Sequence, residues 1–372
     1  MHYFKSIYFY ILISLLSVKG DRIYADRIED CPDLLPRSSP PTSAKDVRPD
    51  DIKAIGSMGD SILAGTSSLG LRGHGSISLN SFAEGRGIAF AGGGDPNAVT
   101  FPNFIKKFSP FSVGGAHSEH FVEFCRLGVC SEDQFYANDV LNAAQSAATS
   151  SNLPVEIQHI AKTMKAIPEL NYETDWKFIT VQIGTIEVCV SCAPMFKKQV
   201  SPETYNTNVE EMLEYVRNNI PNTIVNLVGL FNVSNIYALT ENKPYCHASL
   251  FGFTQANRFE CPCAANSKYI PKLSGVAASF NEKLYSIYLK YRDIQPESFG
   301  VMFTPANLNL TTFPLEYFSD VDCFHPSIKG HGMFAKLLWE PMFTPFEQKP
   351  RLYEYKGEPQ VYCPSENDRF QL

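Results

Sequence analysis

The chain has 372 residues, of which 44% are hydrophobic and 19% are charged, and its formal net charge is −7. This length suits one large α/β domain or two small ones, and the composition is that of a globular protein. The acidic balance and the absence of a basic run argue against nucleic acid as a partner.

The N-terminus has the features of a signal peptide. Lys5 supplies a positive charge, the stretch from Ile7 to Val18 is mostly apolar, and Gly20 and Ala25 are small residues at which cleavage could occur. The apolar stretch is too short to span a bilayer comfortably. We therefore expect a signal peptide over residues 1–20, cleaved at the latest near residue 25, and a secreted, extracellular chain. An uncleaved anchor is the alternative.

All ten cysteines follow this segment, and an even number of cysteines in a secreted chain predicts disulfide bonds. Cys125 with Cys130 and Cys189 with Cys192 are candidate local pairs, although the sequence leaves the pairing open. A metal or redox site at Cys189 and Cys192 is the alternative, but no second cysteine pair at zinc spacing accompanies it.

Two Asn-x-Ser/Thr sequons begin at Asn232 and Asn309. Such tripeptides also occur by chance, so their weight comes from the signal peptide. Both asparagines are predicted glycosylation sites.

The first part of the chain predicts a lead-in, a strand and loops. Five prolines between residues 32 and 50 predict an extended lead-in over residues 21–50 rather than a packed element. A short apolar run that begins at Ile52 and leads through a small-residue turn to Ser61 predicts a strand. Residues 65–140 and 231–272 are rich in Gly, Ser, Phe and Cys and follow no clear period. They are predicted to be long loops, partly stapled by disulfides, over the active edge, with decoration as the alternative.

Helical and strand-like periods alternate along the rest of the chain. Helices are predicted from about residues 152, 201 and 276, and strands over residues 177–183, 223–230 and 300–303. This alternation predicts an α/β fold, a three-layer sandwich in which helices cover both faces of a central parallel sheet. The carboxyl ends of its strands would gather at one edge, where open α/β sheets place their sites.

Two short motifs suggest nucleophilic chemistry at that edge. Ser61 follows the predicted strand after a small-residue turn, and Asp322 and His325 lie three residues apart near the far end of the chain. A serine hydroxyl attacks a carbonyl only when a base takes its proton and an acid orients that base. The alternatives are an ordinary turn at Ser61, a helix cap at Asp322 and a structural histidine.

These motifs, with the segments around them, resemble the GDSL (SGNH) hydrolases, and within them the phospholipase B subgroup. The resemblance covers about residues 45 to 367. The matching stretches are Gly59–Gly65, Arg86–Asp95, Phe101–Pro110, Leu141–Ala147, Asp175–Thr180, Asp322–Ser327 and Tyr362–Glu366.

The resemblance implies a single hydrolase domain over residues 51–367 with the flavodoxin-like SGNH fold. Ser61 would be the nucleophile, His325 the general base and then acid, and Asp322 the residue that orients His325. The implied activity is hydrolysis of acyl esters of phospholipids or lysophospholipids through an acyl-enzyme, without metal or cofactor. A transient contact with a membrane surface would accompany it.

The predicted oxyanion hole departs from the family pattern. The family uses the backbone N–H of the nucleophilic Ser, a Gly N–H and an Asn side chain, but this sequence has Ala147 at the Gly position and Ile186 at the Asn position. Ala147 keeps its N–H, so that change costs little provided that the backbone does not need a positive φ. Ile186 offers no donor, and Thr185 and Gln182 are candidate substitutes.

Two functions follow from these opposing features. The complete set of Ser, His and Asp predicts a secreted serine ester hydrolase with reduced activity, since loss of one oxyanion donor typically lowers kcat by about 10²–10³. The alternative is a catalytically impaired relative that serves as an extracellular lipid-binding or interaction protein.

Overall fold

Strands and helices alternate along most of the chain. The computed structural model describes residues 17–19, 22–72, 77–78, 81–125, 130–240, 243, 245, 249–250, 254–255, 257–294 and 297–372. Its strands are β1 (Ser17–Lys19), β2 (Arg22–Ala25), β3 (Ile52–Gly59), β4 (Ala83–Glu84), β5 (Val113–Gly114), β6 (His120–Phe121), β7 (Trp176–Gln182), β8 (Thr223–Val228), β9 (Ser249–Leu250), β10 (Thr254–Gln255), β11 (Phe299–Thr304) and β12 (Val361–Cys363). Its α-helices are α1 (Ser61–Ala64), α2 (Phe101–Phe108), α3 (Leu153–Ala166), α4 (Thr185–Val190), α5 (Pro202–Asn219), α6 (Ile236–Thr240), α7 (Asn257–Glu260), α8 (Ile270–Ile294) and α9 (Ile328–Trp339).

A five-stranded parallel sheet forms the centre of the molecule, in the order β11-β8-β7-β3-β5. The four long strands are buried along nearly their whole length, as expected for strands covered on both faces. The bounds of β7, β8 and β11 lie within two residues of the predicted ones, and β3 lies in the predicted run before Ser61.

Helices form the two outer layers. α3 packs against α5, and α5 packs against α8. Across the sheet, the connections from β5 to β7, from β7 to β8 and from β8 to β11 all run in one direction. The connection from β3 to β5 runs in the opposite direction. Right-handed crossovers therefore place α2 on the face opposite α3, α5 and α8. α9 packs on α2 through Trp339, which contacts Phe101 and Phe104. The predicted three-layer α/β sandwich is confirmed.

The predicted extended lead-in is right only in its middle part. Residues 32–43 are mostly exposed and contain no strand or helix, whereas the segments on either side pack against the domain. β2 pairs with β12 in a small antiparallel sheet at the C-terminal end of the chain. Val47 is fully buried, and Cys31 is bonded to Cys363. Prolines restrict φ without preventing burial, and a strand from the far end of the chain supplies the backbone partners.

Residues 65–140 contain more regular structure than predicted. α2 lies within them, and β5 adds a fifth strand to the central sheet. α2 has eight residues and β5 has two, so neither is long enough to give a clear period. Residues 231–272 are described only in part, and they contain α6 and α7.

Four disulfides join described residues, and one of the two candidate local pairs is wrong. Cys189 and Cys192 do not bond to each other, because both reach across to the Cys261-Pro-Cys263 segment. Cys323 is also disulfide-bonded, whereas Cys246 lies outside the described residues. The four pairs are Cys31–Cys363, Cys125–Cys130, Cys189–Cys261 and Cys192–Cys263.

Within the described residues, no helix is both long enough and apolar enough to cross a membrane. Most of the predicted signal peptide, residues 1–20, lies outside the described residues. Only its residues 17–19, which form β1, are described.

Candidate active site

Ser61 lies where β3 ends and α1 begins, at the carboxyl edge of the central sheet. Asp60 caps α1, since its Oδ1 accepts a hydrogen bond from the Ile62 N–H at 3.1 Å. Its Oδ2 accepts from the Thr185 N–H at 3.0 Å and so joins the start of α1 to the start of α4. Burial raises the pKa of Asp60, although these hydrogen bonds oppose the shift. Asp60 thus holds the turn that presents Ser61.

A tight turn between β11 and α9 carries Asp322 and His325. The Asp322 Oδ1 accepts hydrogen bonds from the Phe324 N–H at 2.9 Å and from the His325 N–H at 3.0 Å. Cys323, which directly follows Asp322, adopts a left-handed backbone conformation with φ of +50°. This geometry fixes the carboxylate and the imidazole relative to each other before either meets the serine.

The structure brings Ser61, His325 and Asp322 together. The His325 Nε2 lies 2.8 Å from the Ser61 Oγ, and its Nδ1 lies 2.7 Å from the Asp322 Oδ2. In the neutral imidazole these contacts place the proton on Nδ1, which donates to Asp322, and leave Nε2 to accept from the serine hydroxyl. The exposed fractions are 3% for Ser61, 0% for His325 and 4% for Asp322, so bulk water does not compete for these bonds. The arrangement can take a proton from the hydroxyl and stabilise the imidazolium that results.

Glu260 is a second carboxylate beside His325, and the sequence did not predict it. An oxygen of Glu260, an oxygen of Asp322 and a ring nitrogen of His325 all lie within 4.8 Å of one another. Burial alone would lower the pKa of His325, but Asp322 above all, then Glu260 and Asp60, raise it to about 9. Glu260 ends α7 in a segment without a recognisable period. Its only sequence signal is its place next to Cys261.

The predicted oxyanion donor Ala147 lies on a loop that runs beside the end of β3. The Ala143 N–H donates to the Ser57 carbonyl at 2.8 Å, and the Gln145 N–H donates to the Gly59 carbonyl at 3.0 Å. No residue in the described part of the chain accepts a hydrogen bond from the Ala147 N–H. Among those residues the N–H is left without a protein acceptor, as an oxyanion donor would be.

Buried Arg86 secures the same loop. Its guanidinium donates to the Ala144 carbonyl at 2.7 Å and also to the Asn142 carbonyl. It lies 2.8 Å from a carboxylate oxygen of Asp139 and 3.2 Å from one of Glu84. Arg86 is only 1% exposed, and the two carboxylates compensate its buried charge. The guanidinium can therefore stay in the interior, where it binds the two loop carbonyls.

Ala147 adopts φ of +65°, so the condition for a harmless change from Gly to Ala is not met. The left-handed region costs an L-residue roughly 1–2 kcal/mol because its Cβ crowds the following carbonyl. Alanine at this position therefore carries a cost in stability, as the proviso on φ implied. Its N–H is still present.

Ile186 is the second residue of α4, half-buried and without a polar atom in its side chain. The two candidate substitute donors are engaged elsewhere. The Thr185 N–H and the Thr185 side chain both hydrogen-bond to Asp60, and the Gln182 Nε2 donates to the Gly229 carbonyl at 3.2 Å. Among the described residues, the predicted hole thus retains the two backbone donors and gains no third one from either substitute.

A cavity of about 440 Å³ adjoins the predicted oxyanion position. Glu187 lies in its wall, where its Oε1 accepts from the Ser150 N–H at 2.6 Å and burial raises its pKa to about 7. Most of the other side chains are apolar or small. The lining residues are Cys125, Ala147, Thr149, Ser151, Ile186, Glu187, Val190, Phe196, Gln199 and Val200.

Comparisons with known proteins agree with this geometry. The model of the GDSL-like Lipase/Acylhydrolase family matches residues 55–338, about three quarters of the chain. The chain is 28% identical over 354 residues to "Phospholipase B1, membrane-associated" of Homo sapiens, which covers 91% of this chain and 23% of that protein. The proteins of the same name from Mus musculus and Rattus norvegicus are 27% and 28% identical, again over 91% of this chain. The chain spans less than a quarter of the length of these relatives.

Proposed function

We propose that this chain, which belongs to the GDSL-like lipase/acylhydrolase family, is a serine ester hydrolase that cleaves acyl esters of phospholipids or lysophospholipids. Family membership makes it an ester hydrolase by class, as the sequence predicted. The observation that carries the mechanism is the buried chain of hydrogen bonds from Ser61 through His325 to Asp322.

In the proposed mechanism Ser61 attacks the ester carbonyl while His325 takes the hydroxyl proton at Nε2. The developing oxyanion would accept hydrogen bonds from the backbone N–H groups of Ser61 and Ala147. Ser61 is the first residue of α1, so its N–H has no partner within that helix. His325 then gives the proton to the leaving oxygen. Water, activated by His325 in the same way, attacks the acyl-enzyme and releases the acid.

The cavity beside Ala147 supports an acyl chain as the group that binds there. A carbonyl oxygen held by the Ala147 N–H leaves the attached chain next to a wall formed by Ile186, Val190 and Phe196. Burial of each methylene there would contribute about 0.8 kcal/mol. A long acyl chain therefore fits this site better than a short polar acid.

The surface near this cavity supports contact with aggregated lipid. Phe124 is 46% exposed and Met195 is 78% exposed, and each is adjacent in the chain to a cavity-lining residue. Exposed apolar side chains of this kind can insert into the headgroup boundary of a bilayer. The similar proteins are named as membrane-associated phospholipases, which agrees with such a substrate.

Fatty acid release from lysophosphatidylcholine tests this function, and Val190→Trp tests the acyl cavity. The larger side chain should displace two to three methylenes, which costs about 2 kcal/mol and lowers kcat/KM for a long-chain substrate about 30-fold. Hydrolysis of an acetate ester should change little, because acetate does not reach this wall.

Leu352→Trp is the matched control, since it adds the same ring at an exposed apolar position that lines no part of the cavity. Equal losses on the acetate and the long-chain ester for Val190→Trp would contradict an acyl site there. A wild-type protein that releases no fatty acid would contradict the function itself.

We also propose that the chain is secreted and glycosylated. Disulfide-rich chains are typical of oxidising compartments. Because β2 pairs with β12, cleavage near residue 25 would remove a strand, so we expect cleavage before Arg22. Exposed Thr311 makes Asn309 a better glycan acceptor than Asn232, whose partner Ser234 is buried.

Expression in a secretory host tests this proposal. The medium should contain a chain whose N-terminal sequence begins between residues 19 and 22, with a mass lowered by glycosidase treatment. Retention of the protein in the cells with residues 1–20 attached would contradict secretion.

A further inference from the structure

Two disulfides fix Glu260 beside the predicted catalytic histidine. Glu260 is the last residue of α7, and the next residue, Cys261, is bonded to Cys189 in α4. Two residues on, Cys263 is bonded to Cys192. α4 in turn follows β7, at the same sheet edge as Ser61. The double link therefore holds a carboxylate from a distant segment against the site.

Among the described residues, His325 is the basic side chain that lies beside the Glu260 carboxylate. The two carboxylates of Glu260 and Asp322 and a ring nitrogen of His325 lie within 4.8 Å of one another. Within the described residues, no lysine or arginine forms an ion pair with Glu260. His325 itself is fully buried, so a positive charge on it is stabilised by these neighbours and not by water.

Among the described residues, Asp60 and His331 are further titratable groups that interact with His325. Asp60 adds to the negative field, and it is anchored by backbone N–H groups at α1 and α4. Burial, and then the charge of His325, lower the pKa of His331 to about 3, so His331 stays neutral. Asp322, Glu260 and Asp60 are thus the groups that set the charge state of His325.

We propose that Glu260 is a positioning residue that, together with Asp322, stabilises the imidazolium form of His325 during ester cleavage. This inference rests on the proposed function, since it assigns Glu260 a part in the same proton transfers. The Ser61 proton moves to Nε2 as the bond from Oγ to the acyl carbon forms. It leaves for the departing oxygen as the ester bond breaks. Glu260 exchanges no proton with substrate and acts only through the charge on the ring.

The pH dependence follows from the sign of this interaction. A nearby anion favours the protonated ring, and the protonated ring cannot accept the serine proton. Activity should therefore rise with pH through the pKa of His325, about 9 in the wild type. Burial raises the pKa of Glu260 to about 7, which is below that of His325, so Glu260 is an anion in the pH range where His325 titrates. Glu260→Gln removes this anion and should move this limb of the kcat/KM profile to lower pH by about 1 unit.

Two readouts test this in the full chain. The first is the kcat/KM profile on a short soluble ester. The second is the NMR titration of the His325 ring, assigned by its loss in His325→Asn, which needs no turnover. Both midpoints should fall by about 1 pH unit in Glu260→Gln. They should stay near the wild-type value in Glu260→Asp, which keeps the charge.

Glu169→Gln is the matched control, because Glu169 is exposed and its loss changes the net charge equally. A His325 titration that moves no more in Glu260→Gln than in Glu169→Gln would overturn the inference. So would a loss of activity at every pH without a shift of the midpoint. A wild type that hydrolyses no ester would instead overturn the proposed function, and the NMR titration would still decide the role of Glu260.

Discussion

Ser61→Ala is expected to lower ester hydrolysis by about 10⁴-fold or more, since loss of the nucleophile of such a triad removes nearly all of its catalytic effect. The folded state should survive. The variant loses one hydrogen bond, from the Ser61 hydroxyl to His325, a contribution of about 1 kcal/mol. Activity on a short acyl ester and thermal unfolding measure the two effects separately.

Reaction with a fluorophosphonate gives a second readout, because the reagent labels an activated serine. The wild type should be labelled at Ser61, and Ser61→Ala should not react. Ser57→Ala is the matched control, since Ser57 lies on the same strand and its buried hydroxyl has no hydrogen-bond partner among the described residues. Full activity in Ser61→Ala, or equal losses in both variants, would show that the nucleophile is misassigned.

The sequence was sufficient to predict the central sheet and its main helices because their periods are long and clear. β7 and β8 are mostly apolar and buried along their whole length, and α3 and α5 each present one apolar face. The family resemblance then identified the serine, histidine and aspartate that the structure places within hydrogen-bonding distance. Local patterns and short motifs were enough for these features.

Contacts between distant segments were not predictable in the same way. Cys189 and Cys192 looked like a local pair, yet their partners lie 72 and 71 residues further along the chain. Glu260 reaches His325 through that same link, so no local pattern could mark it. The lead-in resembled an unpacked segment because its pairing strand, β12, lies at the opposite end of the sequence.

The backbone at Ala147 shows a further limit of alignment. Matching the family blocks indicates which residue replaces which, but it does not give φ. Only the structure shows that the position keeps the left-handed conformation that Gly adopts easily. The chain thus accepts strain at this loop while retaining the N–H group that the site would use, which fits a loop held in place by Arg86.

Ile186→Asn is expected to raise kcat by up to about 10²-fold with little change in KM. Ile186 is the second residue of α4 and lines the cavity together with Ala147, so an amide at this position would lie near the predicted oxyanion. Its hydrogen bond would strengthen only as negative charge develops on the substrate oxygen. Such a bond stabilises the transition state more than the bound ester. Steady-state kinetics on a short acyl ester measure kcat and KM separately.

Ile186→Leu is the control, because it changes the shape of the side chain without adding a donor. If both variants raise kcat equally, the gain comes from altered packing and not from an oxyanion bond. An Ile186→Asn protein that unfolds like the wild type but has unchanged activity would contradict the proposed hole more directly. Either another group would already donate to the oxyanion, or the reaction would be limited by a step that forms none. Since Thr185 and Gln182 are engaged elsewhere, an increase in kcat confined to Ile186→Asn would identify the missing third donor as the limit on catalysis.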